Sequence, residues 1–419
     1  MRVLFVSLPE KSHLYCMVPL AWAMTAAGHE VRVAAPPSFV PAVVGAGLTA
    51  VPLGSDGVIH ELAKQAPDSQ DYPTSNWSRC EPGEITWEEV HERYALSVPY
   101  GFAPYNDHLL DDLVALAREW RPDLVVRDPL AFAAGVAAHV VGARQVRLLW
   151  SLDVWGRTRH TFHQLRAEDP GARTEDPLRD WLAASVARYG ADFDEVLVDG
   201  HATVDTMPPS LRLPSDVPTI PMRFVAHNGP AQVPEWVRRD PTRPRICLTL
   251  GTSNVEGYGV DYVSVPSVLA ALADLDVEVV AALVPAQQET VRAAGPLPGN
   301  ARLIDPIALH VLLPTCAAIV HHGGYGSFAT ALAAGVPQLA ISTSISDHER
   351  RGRALERAGA GRFLHHRAAT PADVRAAVAE LVTRPVTEAA SGLAADVAAM
   401  APPSAVVAQL GDHRLAALV

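Results

Sequence analysis

An unbroken apolar run, Val3–Ser7, opens the chain, and apolar residues then recur at helical spacing through Met17–Ala27. Gly28 supplies a stop there, and a second apolar run follows at Val31–Ala35. The alternation continues with a helix over Leu113–Trp120, a strand at Leu124–Val126, an apolar helix over Ala131–Val141 and a strand at Gln145–Trp150. Continuous apolar strands separated by helices predict a parallel sheet covered on both faces. Nine prolines between Pro208 and Pro244 then break the pattern, and that density predicts a linker with no regular element. Beyond it the alternation restarts. Strands are predicted at Arg245–Leu250, Val277–Leu283, Arg302–Ile304, Ala317–Val320 and Gln338–Ile341. Helices are predicted at Val263–Ala273, near Leu309, after Ser327 and from Thr370 onward. The expected fold is α/β, two Rossmann-like domains facing each other across a cleft. Their bounds are 1–215 and 245–400, with a linker at 216–244 and a helical tail at 401–419. Ligands should bind at the carboxyl ends of the strands.

Composition narrows the class. With 419 residues, 49% hydrophobic and 19% charged, the chain has ample material for sizeable cores and is not a disordered polymer. A net charge of −12 argues against nucleic acid or an acidic membrane as partner. The four cysteines (Cys16, Cys80, Cys247, Cys316) lie far apart without CxxC spacing, and read as reduced thiols of a cytoplasmic protein. The first apolar run lacks a cleavage-site pattern and is a strand, not a signal peptide. Pro306–Ser346 contains no Asp, Glu, Lys or Arg, but prolines and glycines chop it too finely to span a bilayer.

Candidate chemistry sits at predicted strand ends. The first strand–helix loop, Leu8-Pro9-Glu10-Lys11-Ser12-His13, is not a GxGxxG fingerprint and carries a histidine suited to general base work. Asp128, past the strand Leu124–Val126, lies at the same sheet edge. It could orient His13 through one ring nitrogen, cap a helix starting near Pro129, or do both. The string Ile319-Val320-His321-His322-Gly323-Gly324-Tyr325-Gly326-Ser327 runs from strand through a glycine-rich loop into a helix. Such a helix start presents free N–H groups to an anion, and His322 and Ser327 could add hydrogen bonds to a phosphate. Asp274-Leu275-Asp276 falls in a helix–strand turn, and His365-His366 lacks neighbours at ligand spacing, so no metal site is expected.

Together these motifs resemble the GT-B-fold inverting glycosyltransferases, and within them the actinomycete group that attaches deoxysugars to macrolides and other polyketides. The resemblance rests on Ser12-His13 with Val18–Ala23, Ala26–Val33, Trp120–Val126, Met222-Arg223-Phe224 with Asn228-Gly229-Pro230, and Leu313–Cys316 running into His322. It implies His13 as base and Asp128 as its partner. Thr252, Ile307, His322, Gly324, Tyr325, Gly326, Ser327, Thr330, Asp347 and His348 would form the nucleotide-sugar site. Trp150, Leu152 and Trp155, after another strand end, would line the acceptor pocket or pack in the core. Four positions depart from the family pattern. Asp347-His348 stands where Asp-Gln is common, Pro306 where an aromatic residue usually precedes the base-binding segment, and Tyr325 where a small residue is usual. Thr330 occupies the place of a glutamate in UDP-using relatives, which favours dTDP over UDP.

The implied activity is inverting transfer of a deoxysugar from a dTDP-sugar to a polyketide hydroxyl, without cofactor or metal. Asp128→Asn is expected to do less damage than His13→Ala. The segment 54–105, with a helix over Thr86–Leu96, would form an acceptor lid or a docking face for a cytochrome-P450-like auxiliary protein. A homodimer is a further reading of the chain's partners. The alternatives are a nucleotide-sugar epimerase on the same scaffold and a non-catalytic sugar-nucleotide-binding partner.

Overall fold

The computed structural model describes residues 1–56, 69, 71–251 and 261–411. The chain divides into two units: Met1–Arg223 together with residues from Met400 on, and Phe224–Ala399.

The first unit is built on a seven-stranded sheet in the order β3-β2-β1-β4-β5-β6-β7. Its strands are β1 (Arg2–Val6), β2 (Glu30–Ala35), β3 (Ala50–Pro52), β4 (Leu124–Arg127), β5 (Arg144–Leu148), β6 (Ala202–Asp205) and β7 (Thr219–Pro221). Every pairing is parallel. Val3, Leu4 and Phe5 in β1 and Leu124, Val125 and Val126 in β4 are wholly buried, as strands covered on both faces must be. The strand order reverses between β1 and β4, and the segments that follow these two strands carry His13 and Asp128. A ligand crevice forms at such a switch point.

The second unit repeats the scheme with six parallel strands in the order β10-β9-β8-β11-β12-β13. These are β8 (Arg245–Thr249), β9 (Glu278–Ala282), β10 (Ala301–Ile304), β11 (Ala318–His321), β12 (Gln338–Ser342) and β13 (Gly361–His365). Its switch point lies between β8 and β11, and the glycine-rich loop follows β11.

Two expectations need correction. The proline-rich linker is not free of regular structure. β7 lies inside it and pairs with β6, and a 3₁₀ turn spans Glu235–Arg238. An edge strand bonds on one side only, so Pro218 and Pro221 at its borders cost no ladder bond: Thr203 N–H donates to the Pro218 carbonyl and Met222 N–H to the Asp205 carbonyl. The helical tail expected at 401–419 belongs, over its described residues 401–411, to the first unit. The helix Pro403–Gly411 packs on the helix Lys11–Ala26, and Arg223 N–H donates to the Ala401 carbonyl. The stretch Arg384–Gly411 has the length and composition of a membrane span. It is nevertheless two helices interrupted at 400–402, and the first, Arg384–Ala399, packs on the helix Tyr325–Ala334.

Candidate functional site

In the first unit, the helix Lys11–Ala26 begins one short loop after β1, which brings His13 into its first turn. The His13 Nδ1 lies 2.6 Å from Asp128 Oδ2. Asp128 is fully buried, and its other oxygen, Oδ1, accepts from Leu130 N–H at 2.8 Å. The helix expected near Pro129 starts only at Phe132, so Asp128 holds a turn and the histidine, not a helix cap. A carboxylate can only accept, so the shared proton sits on Nδ1 and Nε2 carries the lone pair. This is the arrangement of a base oriented by an acid. Behind it, the fully buried Arg127 donates to the carbonyls of Asp128, Pro129, Leu197 and Val198. Burial, with Arg147 nearby, pushes its guanidinium down to about 9.

Trp150 lies against His13, the ring centroids 3.9 Å apart. It leads into an aromatic cluster: Trp155 at 6.2 Å, then Trp77 at 4.4 Å from Trp155, with Phe102 5.9 Å from Trp77 and 5.2 Å from Phe132. Trp77, Phe102, Phe132 and Trp155 enclose a pocket with only about 10 Å³ of free interior, room for roughly one water. The indole N–H groups of Trp150 and Trp155 are buried and have no partner among the described residues. Leu152 is 2% exposed and belongs to the core. The helix expected over Thr86–Leu96 spans Trp87–Ser97, started by a Thr86–Glu89 capping box. Its Trp87 and Tyr94 rings lie 5.1 and 5.4 Å from Phe162, so its apolar side is spent inside this unit as a wall of the aromatic cluster. Part of the irregular segment, 57–68 and 70, lies outside the described residues.

In the second unit, the two adjacent histidines have different fates. His321 ends β11 pointing inward. Its Nδ1 accepts from Gly323 N–H and its Nε2 meets Gln338 Oε1 at 3.1 Å. Burial first, then the neighbouring His322 and Arg351, push it down to about 3. It is a structural pin. His322 is half-buried, and its ring stacks against backbone: a Cβ on Gly324 would come within 2.7 Å of it and one on Gly251 within 2.5 Å. That close approach is what requires glycine at both positions. Burial and Arg351 push His322 down to about 4, so it is a neutral hydrogen-bonding group near pH 7. Its Nδ1 has no partner among the described residues. Gly323 takes φ +93°, and a Cβ there would collide with Ser342 Oγ at 2.5 Å. The ten-residue helix Tyr325–Ala334 follows, with Gly324 at its N-cap and no side-chain cap. A helix start without a side-chain cap can present N–H groups to an anion. Gly326 has open space where a Cβ would be, and Ser327 is buried beside it.

Asp347 and His348 start the next helix, His348–Arg357. Asp347 is fully buried, with Oδ1 3.3 Å from Arg351 Nη2. His348 Nδ1 lies 2.7 Å from Ser342 Oγ, and burial followed by Arg351 holds its ring well below the ordinary histidine range. Arg351 is a residue that sequence reasoning missed. Thr330 is 2% exposed, and its hydroxyl donates to the Gly326 carbonyl and accepts from Asn228 Nδ2. Ile307 packs half-buried against the core around Cys247 and Ile319. Thr252 lies outside the described residues.

Two parallel α/β units, each with a candidate loop at its switch point, are the architecture of the GT-B fold. A solved structure, the glycosyltransferase VinC in complex with dTDP, superposes with a TM-score of 0.87 at 38% identity over 99% of both chains. Spinosyn forosaminyltransferase SpnP superposes at 0.82, also at 38% identity and 99% of both chains. Models of the erythromycin biosynthesis protein CIII-like N-terminal and C-terminal domains match residues 22–251 and 266–412, and the chain belongs to this family. It is 42% identical to the 10-deoxymethynolide desosaminyltransferase of Streptomyces venezuelae, over 100% of this chain and 97% of the relative. It is also 40% identical to the tylactone mycaminosyltransferase of Streptomyces fradiae, over 100% of this chain and 93% of the relative.

Proposed function

We propose that the chain is a glycosyltransferase that moves a deoxysugar from a dTDP-sugar to a hydroxyl of a macrolide-type polyketide, with inversion. The observation that carries this reading is the 2.6 Å contact between His13 Nδ1 and the buried Asp128 carboxylate, which leaves Nε2 as proton acceptor. His13 takes the acceptor proton as the oxygen attacks the anomeric carbon. The C–O bond to the diphosphate breaks, and the dTDP oxygen receives the electron pair. The helix start at Gly324–Ser327, with His322 neutral beside it, stabilises that leaving group by hydrogen bonds and helix dipole. His13 and Asp128 together favour this reading over a silent binding partner. Formation of a glycoside from added aglycone distinguishes it from an epimerase.

The test is His13→Ala assayed with 10-deoxymethynolide and tylactone, aglycones named for relatives, and a dTDP-deoxysugar. Turnover should fall by about 10²–10⁴ while dTDP affinity stays within a factor of two. Near-normal turnover would remove His13 from the mechanism. Activity should persist in EDTA, and dTDP should bind more tightly than UDP. Three finer readings join the proposal: work in the cytoplasm, in keeping with the four free cysteines, a homodimer, and, from the resemblance, an auxiliary P450-like protein on the first unit. Full specific activity of the purified chain alone would remove the auxiliary protein.

A further inference from the structure

We propose that Arg351 is a positioning residue of the donor site, tying the glycine loop to Asp347 through one buried guanidinium. The proposal rests on the reading of that loop as the diphosphate site. Arg351 is 2% exposed. Its Nη2 donates to the Gly323 carbonyl at 2.7 Å and lies 3.3 Å from Asp347 Oδ1. Its guanidinium carbon is 4.8 Å from the Phe328 ring centroid and 5.4 Å from that of Tyr325, both on the helix the loop feeds. Nη1 is buried with no partner among the described residues. A single side chain thus touches the loop carbonyl, the first helical turns and the carboxylate expected to meet the sugar.

Stability alone is a poor reason for this arrangement. Burying a guanidinium is costly, and a buried ion pair seldom does better than apolar packing of the same volume. An unused guanidinium N–H raises that cost further. Among the described residues, the titratable groups facing it are His321 and His322 from β11 and its loop and His348 on its own helix, all held neutral, with Asp347 the carboxylate beside it. A diphosphate brought to the helix start would find a fixed positive charge already in place, and the Gly323 peptide already oriented by it.

Calorimetric titration of dTDP into the full-length wild type, Arg351→Met and Arg351→Lys tests this. The wild type should bind. Met should weaken Kd by about 10- to 100-fold at full stoichiometry, the usual worth of a charged hydrogen bond, and Lys should recover part of the loss. A merely structural role would lower the binding-competent fraction and the melting temperature without moving Kd in the remainder. That result, or a Met variant within twofold of wild type, overturns the role of Arg351. If Met does not fold, Arg351→Gln is read by the same criteria, since it can still donate to the Gly323 carbonyl but carries no charge. Failure of the wild type to bind dTDP overturns the donor-site reading itself, and the role of Arg351 with it.

Discussion

Acid should destabilise the fold through His321, because burial keeps its ring neutral in the native chain. In the native chain this ring is pushed down to about 3, against an ordinary 6.5 in the unfolded chain. Below pH 6.5 the unfolded chain binds a proton here that the native chain refuses, so stability is fully present above pH 6.5 and falls as pH drops. At pH 5 the deficit is 1.5 pH units of one proton at ~1.4 kcal/mol per unit, or about 2 kcal/mol, and it keeps growing until the native ring itself titrates. Other groups titrate over the same range. Asp205, for instance, is raised to about 6 by burial and acts in the opposite direction. A comparison with His321→Gln cancels them. The variant loses hydrogen bonds to Gly323 and Gln338 at every pH, which lowers its stability by a constant and drops out of the difference. Urea unfolding of both proteins at pH 7.5 and pH 5 should show the wild type losing about 2 kcal/mol more than the variant on acidification. Equal losses in the two proteins would show that the ring at 321 is not held neutral, and the assignment of His321 as a pin would fail.

Three further outcomes follow from the site geometry. Asp128→Asn should cost as much as His13→Ala, about 10²–10⁴ in kcat, contrary to the milder effect expected from sequence. The amide oxygen must stay with Leu130 N–H, so the NH₂ faces His13 Nδ1 and forces the proton onto Nε2. Turnover above a tenth of wild type would contradict that tautomer argument. Gly326→Ala should keep or slightly raise Tm, since open space surrounds its Cβ and alanine favours the helix, yet weaken dTDP by obstructing the helix start. Unchanged calorimetric affinity would move the diphosphate elsewhere. Thr330→Glu should lower Tm and is a poor test of nucleotide choice, because it buries a carboxylate where the hydroxyl already bonds Gly326 and Asn228. A soluble variant with unaltered Tm would reopen Thr330 as a ribose contact.

The parts of this protein that sequence revealed are those decided by short-range pattern. Apolar runs such as Val3–Ser7 and Ala317–Val320 had one place to go, the centre of a parallel sheet, and the loops after them had to lie at its carboxyl edge. His13 and Asp128 were legible for that reason, although 115 residues separate them in the chain. Legibility fails where an outcome depends on a neighbour supplied from elsewhere. β7 exists only because β6 offers it one edge, so local proline density could not reveal it. His321 and His322 are chemically identical neighbours. What separates them is that Gln338 on the adjacent strand pins the first, while the second lies across Gly251 and Gly324. Arg351, four residues after Asp347, was no sequence candidate, since an i,i+4 ion pair on a helix is of small worth by itself. Its significance comes from the Gly323 carbonyl 28 positions earlier, which the β11 switch point brings within 2.7 Å. The same guanidinium adds to burial in the downward shift of all three neighbouring histidines, so their neutrality is a property of the folded cluster and of no single residue in it.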